Sequence, residues 1–331
     1  MILEESWEVA GLLDSYATWS LECFKSRIQP VLRAERRALL GAVPSSVWLA
    51  TCEPGDSELV RHRLFPGSLL VLWAEALGGP AASAGIEPLA AALECLHNAS
   101  LVHDDILDGH QERRRQPTLL AALGGSFALL GGDGLLTAAF GLLGRLADSR
   151  LAGCLVRIGR AADDVVAGQW LDEPATWAGV AAEEREAHWL RVCRGKLALG
   201  NAWGPLGAFW TGQDDLETVI VELLAEFSIV SQIINDFGDM FGWAGYHELV
   251  RDSRPPRQEA RRKPTLPVIW AARGDIAEPE HLLGPARTEI ERRKAAALTA
   301  LDRFSLDPVR RELLLDFFAL PRLPEPGEAI G

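Results

Sequence analysis

The segment His103-Asp104-Asp105-Ile106-Leu107-Asp108 sets three carboxylates within five residues. On a helix, residues 104 and 108 lie one turn apart and share a face, with 105 beside them. Like charges at this spacing repel by roughly a few tenths of a kcal/mol when exposed, and by more when half-buried. The residues entering the cluster (Leu93, Leu96, Leu101, Val102) are apolar, so the helix packs against a core and its carboxylates call for a cation. Oxygen-only donors with open positions suit Mg²⁺, which keeps some of its waters and bridges to phosphate. Taken alone, the segment also reads as a solvated acidic helix end. A second cluster, Gln232-Ile233-Ile234-Asn235-Asp236-Phe237-Gly238-Asp239, repeats the i, i+1, i+4 spacing at 235, 236 and 239. An Asn carbonyl is a hard, neutral oxygen ligand, although N-D-x-x-D by itself also serves as a cap or turn. Two such clusters in one chain can face each other across a cavity and hold metal ions between them.

Counter-charges accompany them. Arg113 and Arg114 follow the first cluster, Lys196 stands in Arg194-Gly195-Lys196, and Lys263 precedes Pro264-Thr265-Leu266-Pro267. Only four of the 33 basic residues are lysines, which gives weight to a lysine at an apt position. Acidic clusters with cations around one pocket form a recognisable device, in which Mg²⁺ clamps a diphosphate and Arg and Lys complete the charge balance. Gln169 and Gln232 read either as donors near such a site or as ordinary polar helix residues.

The elements that must position these groups are helices. Apolar stripes at i, i+3, i+4 and i+7 run through 69–77, 85–109, 118–147, 151–170, 183–211, 215–243, 264–273 and 285–302. Alternating Val/Ile/Thr-rich runs of strand length are missing. Breaks fall at Pro and Gly clusters. The pattern predicts one all-α domain over residues 1–331, a single large helical bundle around a central apolar cavity. Its Pro-rich end, 320–331, is expected to be a flexible tail. Ser126 to Gly144 is apolar enough to consider as a membrane span, but Asp133 and several glycines interrupt it, so a buried helix is expected instead.

Net charge is −13, from 46 acidic and 33 basic residues. That balance lacks the basic footprint of a duplex nucleic-acid binder and argues against adsorption to an anionic membrane. Five cysteines without a C-x-x-C pair suggest buried free thiols in a reducing compartment. The acidic N-terminus lacks the basic region of a secretory signal, and a cytoplasmic protein is expected.

With these residues assembled, the chain resembles the trans-isoprenyl diphosphate synthases, the polyprenyl synthetase family, from about Arg61 to Ala272. Asp104, Asp105 and Asp108 match its D-D-x-x-D, and Arg113-Arg114 with Pro117-Thr118 match the R-R-x-x-P-T downstream. Gln232 to Asp239 matches its second motif, with Asn235 in place of the commoner Asp. Leu64 to Gly79, Gly168-Gln169 with Asp172, and Lys263 to Val268 match further segments. The resemblance implies an isoprenoid-synthase bundle that is a homodimer and holds Mg²⁺, three ions in all. It implies that Asp104 and Asp108 bind metal, with Asp105 supporting, and that Asn235 and Asp239 face them. Asp236 would orient a basic partner. Arg113, Lys196 and Lys263 would hold an allylic prenyl diphosphate, with Gln232 beside them. His97, Arg114 and Arg63 would serve the isopentenyl diphosphate side. Ala99 and Ser100, both small, would form the pocket floor, which implies a product of C20 or longer that Ala99→Phe would shorten.

The chain departs from the family where G-K-R-x-R-P usually stands. Here His62 replaces the lysine and Phe65 the second arginine. Neither supplies a fixed positive charge. Leu197 also replaces a threonine after Lys196. The allylic side is kept and the isopentenyl side is half eroded. A class I terpene cyclase or diphosphate-lyase acting on one prenyl diphosphate is therefore a second reading. A regulatory subunit pairing with an active synthase is a third.

Overall fold

The computed structural model describes residues 15–39, 65–113, 116–241, 264–274, 279–319 and 323. Helices dominate them. After a helical stretch at 15–23 and a π-helical turn, Phe24–Ile28, the chain runs through α1 (Gln29–Leu39), α2 (Pro66–Gly78), α3 (Glu87–Asp108), α4 (Leu119–Leu123), α5 (Gly125–Leu143) and α6 (Leu151–Asp172). It continues through α7 (Pro174–Trp177), α8 (Arg185–Lys196), α9 (Ala198–Asn201), α10 (Trp203–Trp210), α11 (Glu217–Phe241), α12 (Leu266–Gly274), α13 (Leu283–Leu301) and α14 (Pro308–Ala319). The predicted stripes correspond to α2 through α6 and α8 through α13, with two long stripes subdivided; the one-turn α7 falls between stripes. That at 118–147 breaks at Gly124, whose φ of +84° turns the chain between α4 and α5. The helix at 15–39 and α14 carried no stripe strong enough to predict.

The described strand is a two-residue antiparallel pair, Glu112–Arg113 with Gln116–Pro117. It is too short for a period-2 pattern to register, and its effect is to turn Arg113 back toward α3.

Two apolar clusters hold the bundle. The larger joins the first helices, α2, α3, α5, α10 and the start of α11 with α14, around fully buried Trp73, Phe24 and Phe317. The smaller joins α8, the second half of α11, α12 and α13 around Trp189, Ile233 and Phe237. Leu323, within the expected tail, is buried in it; the remainder of 320–331 lies outside the described residues. Buried Glu75 ties distant parts together. Its carboxylate accepts from Arg27 at 3.0 Å, from Ser83 at 2.8 Å and from Arg310 at 2.9 Å, linking the π-helical turn, α2 and α14.

Helix α5 is the one described helix long and apolar enough to cross a membrane by length and composition, and less than half of it is buried. It packs along α3. The described cysteines, Cys23, Cys95, Cys154 and Cys193, are buried thiols, as expected.

Candidate active site

Helix α3 begins with Glu87 and Pro88 in its first turn and ends at Gly109, whose φ of +69° is the left-handed cap that stops it. Asp104, Asp105 and Asp108 therefore occupy its C-terminal end, where the last carbonyls already carry about half a negative charge. Asp172 is the last residue of α6, and Asn235, Asp236 and Asp239 lie in the last two turns of α11. Each acidic residue thus stands where a helix dipole opposes it and needs donors to hold it in place.

Two described cations are such donors. Arg113 donates Nε and Nη2 to Asp105 Oδ1 at 3.0 and 2.8 Å and reaches Asp104 Oδ2 at 3.3 Å. Lys196, in the last turn of α8, donates to Asp172 Oδ2 at 2.8 Å and stands 3.5 Å from Asp104 Oδ1. Gln169 adds a neutral donor to Asp104 at 3.3 Å. Burial alone would lower the Lys196 pKa, but Asp104, Asp172 and Asp108 outweigh it and hold the ammonium above the ordinary lysine value.

A close helix crossing brings Lys196 here. A Cβ on Gly168 of α6 would sit 2.4 Å from the Lys196 backbone nitrogen, and one on Gly195 would sit 2.6 Å from the Gly168 Cα. Two missing side chains let α6 and α8 touch backbone to backbone, with Gln169, Asp172 and Lys196 emerging at the junction.

Within each cluster the residues divide. Asp105 is buried and bound by Arg113 and by His110 Nδ1 at 3.1 Å. Asp104 and Asp108 remain half-exposed, and an oxygen of each, with a ring nitrogen of His110, lies within 4.8 Å of the others. That donor set, two carboxylates and an imidazole with an open side, fits a divalent ion. Thr118 secures the loop behind it, donating to the His110 carbonyl at 2.7 Å and capping α4.

In the second cluster Asp236 is buried. It accepts from Trp189 Nε1 and the Leu266 backbone N–H, both at 2.8 Å, and from Gln232 Nε2 at 2.7 Å. Asn235 is exposed, and Asp239 follows one turn beyond it on α11. Gln232 thus bonds within its own helix.

Between Leu89 and Ser100, α3 is buried except at His97 and Ser100. These lie seven and four residues before Asp104, on its face, and Ser100 donates back to the His97 carbonyl at 2.8 Å. Ala99 is fully buried on another face. Arg63, Arg114 and Lys263 lie outside the described residues. Phe65 is fully buried, its ring 4.5 Å from that of Phe24.

Sequence reasoning left Asp172, His110 and Trp189 out of the site, and Gln169 undecided. The available signals were periodic: Gln169 and Asp172 are i, i+3 on α6, and Trp189 stands seven residues before Lys196.

The sequence profile of the polyprenyl synthetase family matches residues 63–298. A geranylgeranyl diphosphate synthase of Mycobacterium tuberculosis is 32% identical over 212 residues, 63% of this chain and 58% of that protein. A geranylfarnesyl diphosphate synthase of Aeropyrum pernix is 32% identical over 253 residues, 72% of this chain and 75% of that protein. The chain spans 55 to 58% of the length of the first curated relatives it matches. Among solved structures, a decaprenyl diphosphate synthase from Rhodobacter capsulatus superposes with a TM-score of 0.69 at 22% identity, covering 93% of this chain and all of that one. The likeness extends the all-α bundle to the chain as a fold.

Proposed function

The chain belongs to the polyprenyl synthetase family, and on that premise we propose that it is a prenyltransferase that ionises an allylic prenyl diphosphate and condenses it with isopentenyl diphosphate. The observation that carries the proposal is the convergence of Arg113, Lys196 and Gln169, from three elements, on half-exposed Asp104. Such a point can exchange carboxylate partners for the oxygens of a diphosphate.

Asp104 and Asp108 would hold Mg²⁺ on one side, and Asn235 and Asp239 on the other, for three ions in all. Bound there, Mg²⁺ supplies neutralising charge to the leaving diphosphate. Lys196 and Arg113 bind the same group, with Lys263, and Lys196 arrives fully charged. Loss of diphosphate leaves an allylic cation. The isopentenyl double bond attacks it, and the new cation loses a proton to the departed diphosphate. Apolar surroundings protect the cation from water. Arg63, His97 and Arg114 are proposed for the isopentenyl diphosphate. Ser100, one turn below Asp104, is the better placed of the two floor residues, and its small side chain supports a product of C20 or longer.

Incubation with Mg²⁺, farnesyl diphosphate and radiolabelled isopentenyl diphosphate tests the proposal: label enters a longer prenyl diphosphate. Hydrocarbon or alcohol released without isopentenyl diphosphate would favour a cyclase or lyase. One observation favours that second reading: residue 65, an arginine in the resembled motif, is here a phenylalanine inside the core.

We also propose a cytoplasmic homodimer. Phe127, Leu130 and Phe140, each about 60% exposed, leave on α5 an apolar face that a second copy would cover. Light scattering at twice the 36.0 kDa chain mass is expected.

A further inference from the structure

We infer that Trp189 is a positioning residue whose indole N–H, donated to Asp236, fixes the second oxygen-ligand patch relative to the first. The inference rests on the diphosphate-binding reading above.

Trp189 and Lys196 are both on α8, seven residues apart. Seven residues are nearly two full turns, so the two side chains leave the same face about 10 Å apart along the axis. Each grips a different patch. Lys196 bonds to Asp172 and stands beside Asp104. Trp189 bonds to Asp236 at 2.8 Å. One rigid helix therefore spans both patches and sets their separation.

Asp236 is the point at which that separation is transmitted. It is 4% exposed and, among the described residues, takes three neutral donors, from α8 (Trp189), from its own helix (Gln232) and from the backbone of Leu266 where α12 begins. Of the three, only Trp189 ties α11 to the helix that carries Lys196. The indole is itself 4% exposed and packed among Val192, Ile233 and their neighbours, so it acts through Asp236 and not on substrate. Without its N–H, Asn235 and Asp239 keep their helix but lose their fixed distance from Asp104.

The test separates the donor from the bulk. Trp189→Phe keeps an apolar ring and removes the N–H. Trp189→His loses the outer ring but returns an N–H, since imidazole Nε2 occupies the ring position of indole Nε1. Binding of inorganic pyrophosphate with Mn²⁺ is read by calorimetry, together with the number of ions taken up. Trp189→Phe should weaken pyrophosphate about tenfold and lower the ion count, while Trp189→His recovers most of both despite the poorer packing. Wild-type affinity in Trp189→Phe, or equal loss in both variants, overturns the inference. Should Trp189→Phe not fold, the wild-type protein decides by its indole ¹H–¹⁵N spectrum. A downfield indole resonance absent from Trp189→His should shift when Mg²⁺ and pyrophosphate are added, and no shift overturns the inference. If the wild-type protein binds no pyrophosphate with either metal, the diphosphate reading itself has failed, and the inference with it.

Discussion

The two acidic clusters share a spacing and a division of roles, but not a means of support. In each, the i+1 residue turns inward: Asp105 and Asp236 are 5% and 4% exposed. Asp104, Asp108 and Asn235 face outward to different degrees. Asp105, however, is held by the guanidinium of Arg113 and by His110, whereas Asp236 is held by an indole, an amide and a backbone N–H. One patch carries its own cations. Among the described residues the other has neutral struts, at the negative end of a helix. The difference teaches that an i, i+1, i+4 spacing turns its i+1 residue inward as an anchor, and that the anchor's partners decide how much charge the patch retains for metal.

The largest effect that could break this comparison is at the outward residues. Asp104→Asn and Asp108→Asn should each lower kcat/KM by about 10³-fold while leaving the melting temperature nearly unchanged. A large loss of stability would make them anchors instead. The inward residues should behave in the opposite sense. Asp105→Asn leaves Arg113 beside a neutral amide and should cost about 3 kcal/mol or more. Asp236→Asn, whose described donors are neutral, should cost about 1–3 kcal/mol. Chemical denaturation ranks the two, and the reverse order would contradict the distinction between charged and neutral support.

Gly168→Ala forces the α6–α8 crossing apart and should cost about 2 kcal/mol, with weaker pyrophosphate binding measured alongside. Lys196→Met should cost about 2 kcal/mol. The folded pKa of Lys196 lies above its ordinary 10.5. Its stabilisation is therefore complete below that pH and fades only as pH rises through the higher, folded value. The wild-type advantage over Lys196→Met should stay level from about pH 7 to 10, and a gap closing within that range counts against the arrangement.

The smallest effect is a control remote from both patches. Asp148 accepts from the Arg150 side chain and backbone, which pull its pKa down to about 2. Asp148→Asn should cost less than about 1 kcal/mol at neutral pH. With a depressed folded pKa, the difference from wild type should disappear as pH falls from 3.8 toward 2.

Much of this was legible in the chain. The 3.6-residue stripes marked most helices because the buried faces are apolar and continuous. The two clusters were visible as oxygen donors at a repeated spacing. What spacing could not reveal was which carboxylate turns inward, because that depends on Arg113, Trp189 and Leu266 arriving from other elements. Asp172, seen only as part of a matching segment, gains its role from Lys196, remote in the sequence, and His110 gains its own because the Gly109 turn folds it back onto Asp105. Ala99 and Ser100 are adjacent and both small, yet only the second shares the face of Asp104. Helix register, once observed, makes Ser100→Phe the more direct test of product length.

The central claim is that both patches address one diphosphate. A crystal of the full chain grown with Mn²⁺ and inorganic pyrophosphate, with the ions located by anomalous scattering, measures it directly. The account predicts Mn²⁺ on Asp104 and Asp108 and again beside Asn235 and Asp239, all touching a single pyrophosphate that Lys196 also contacts. Ions on one patch alone, or pyrophosphate bound away from Lys196, would contradict it.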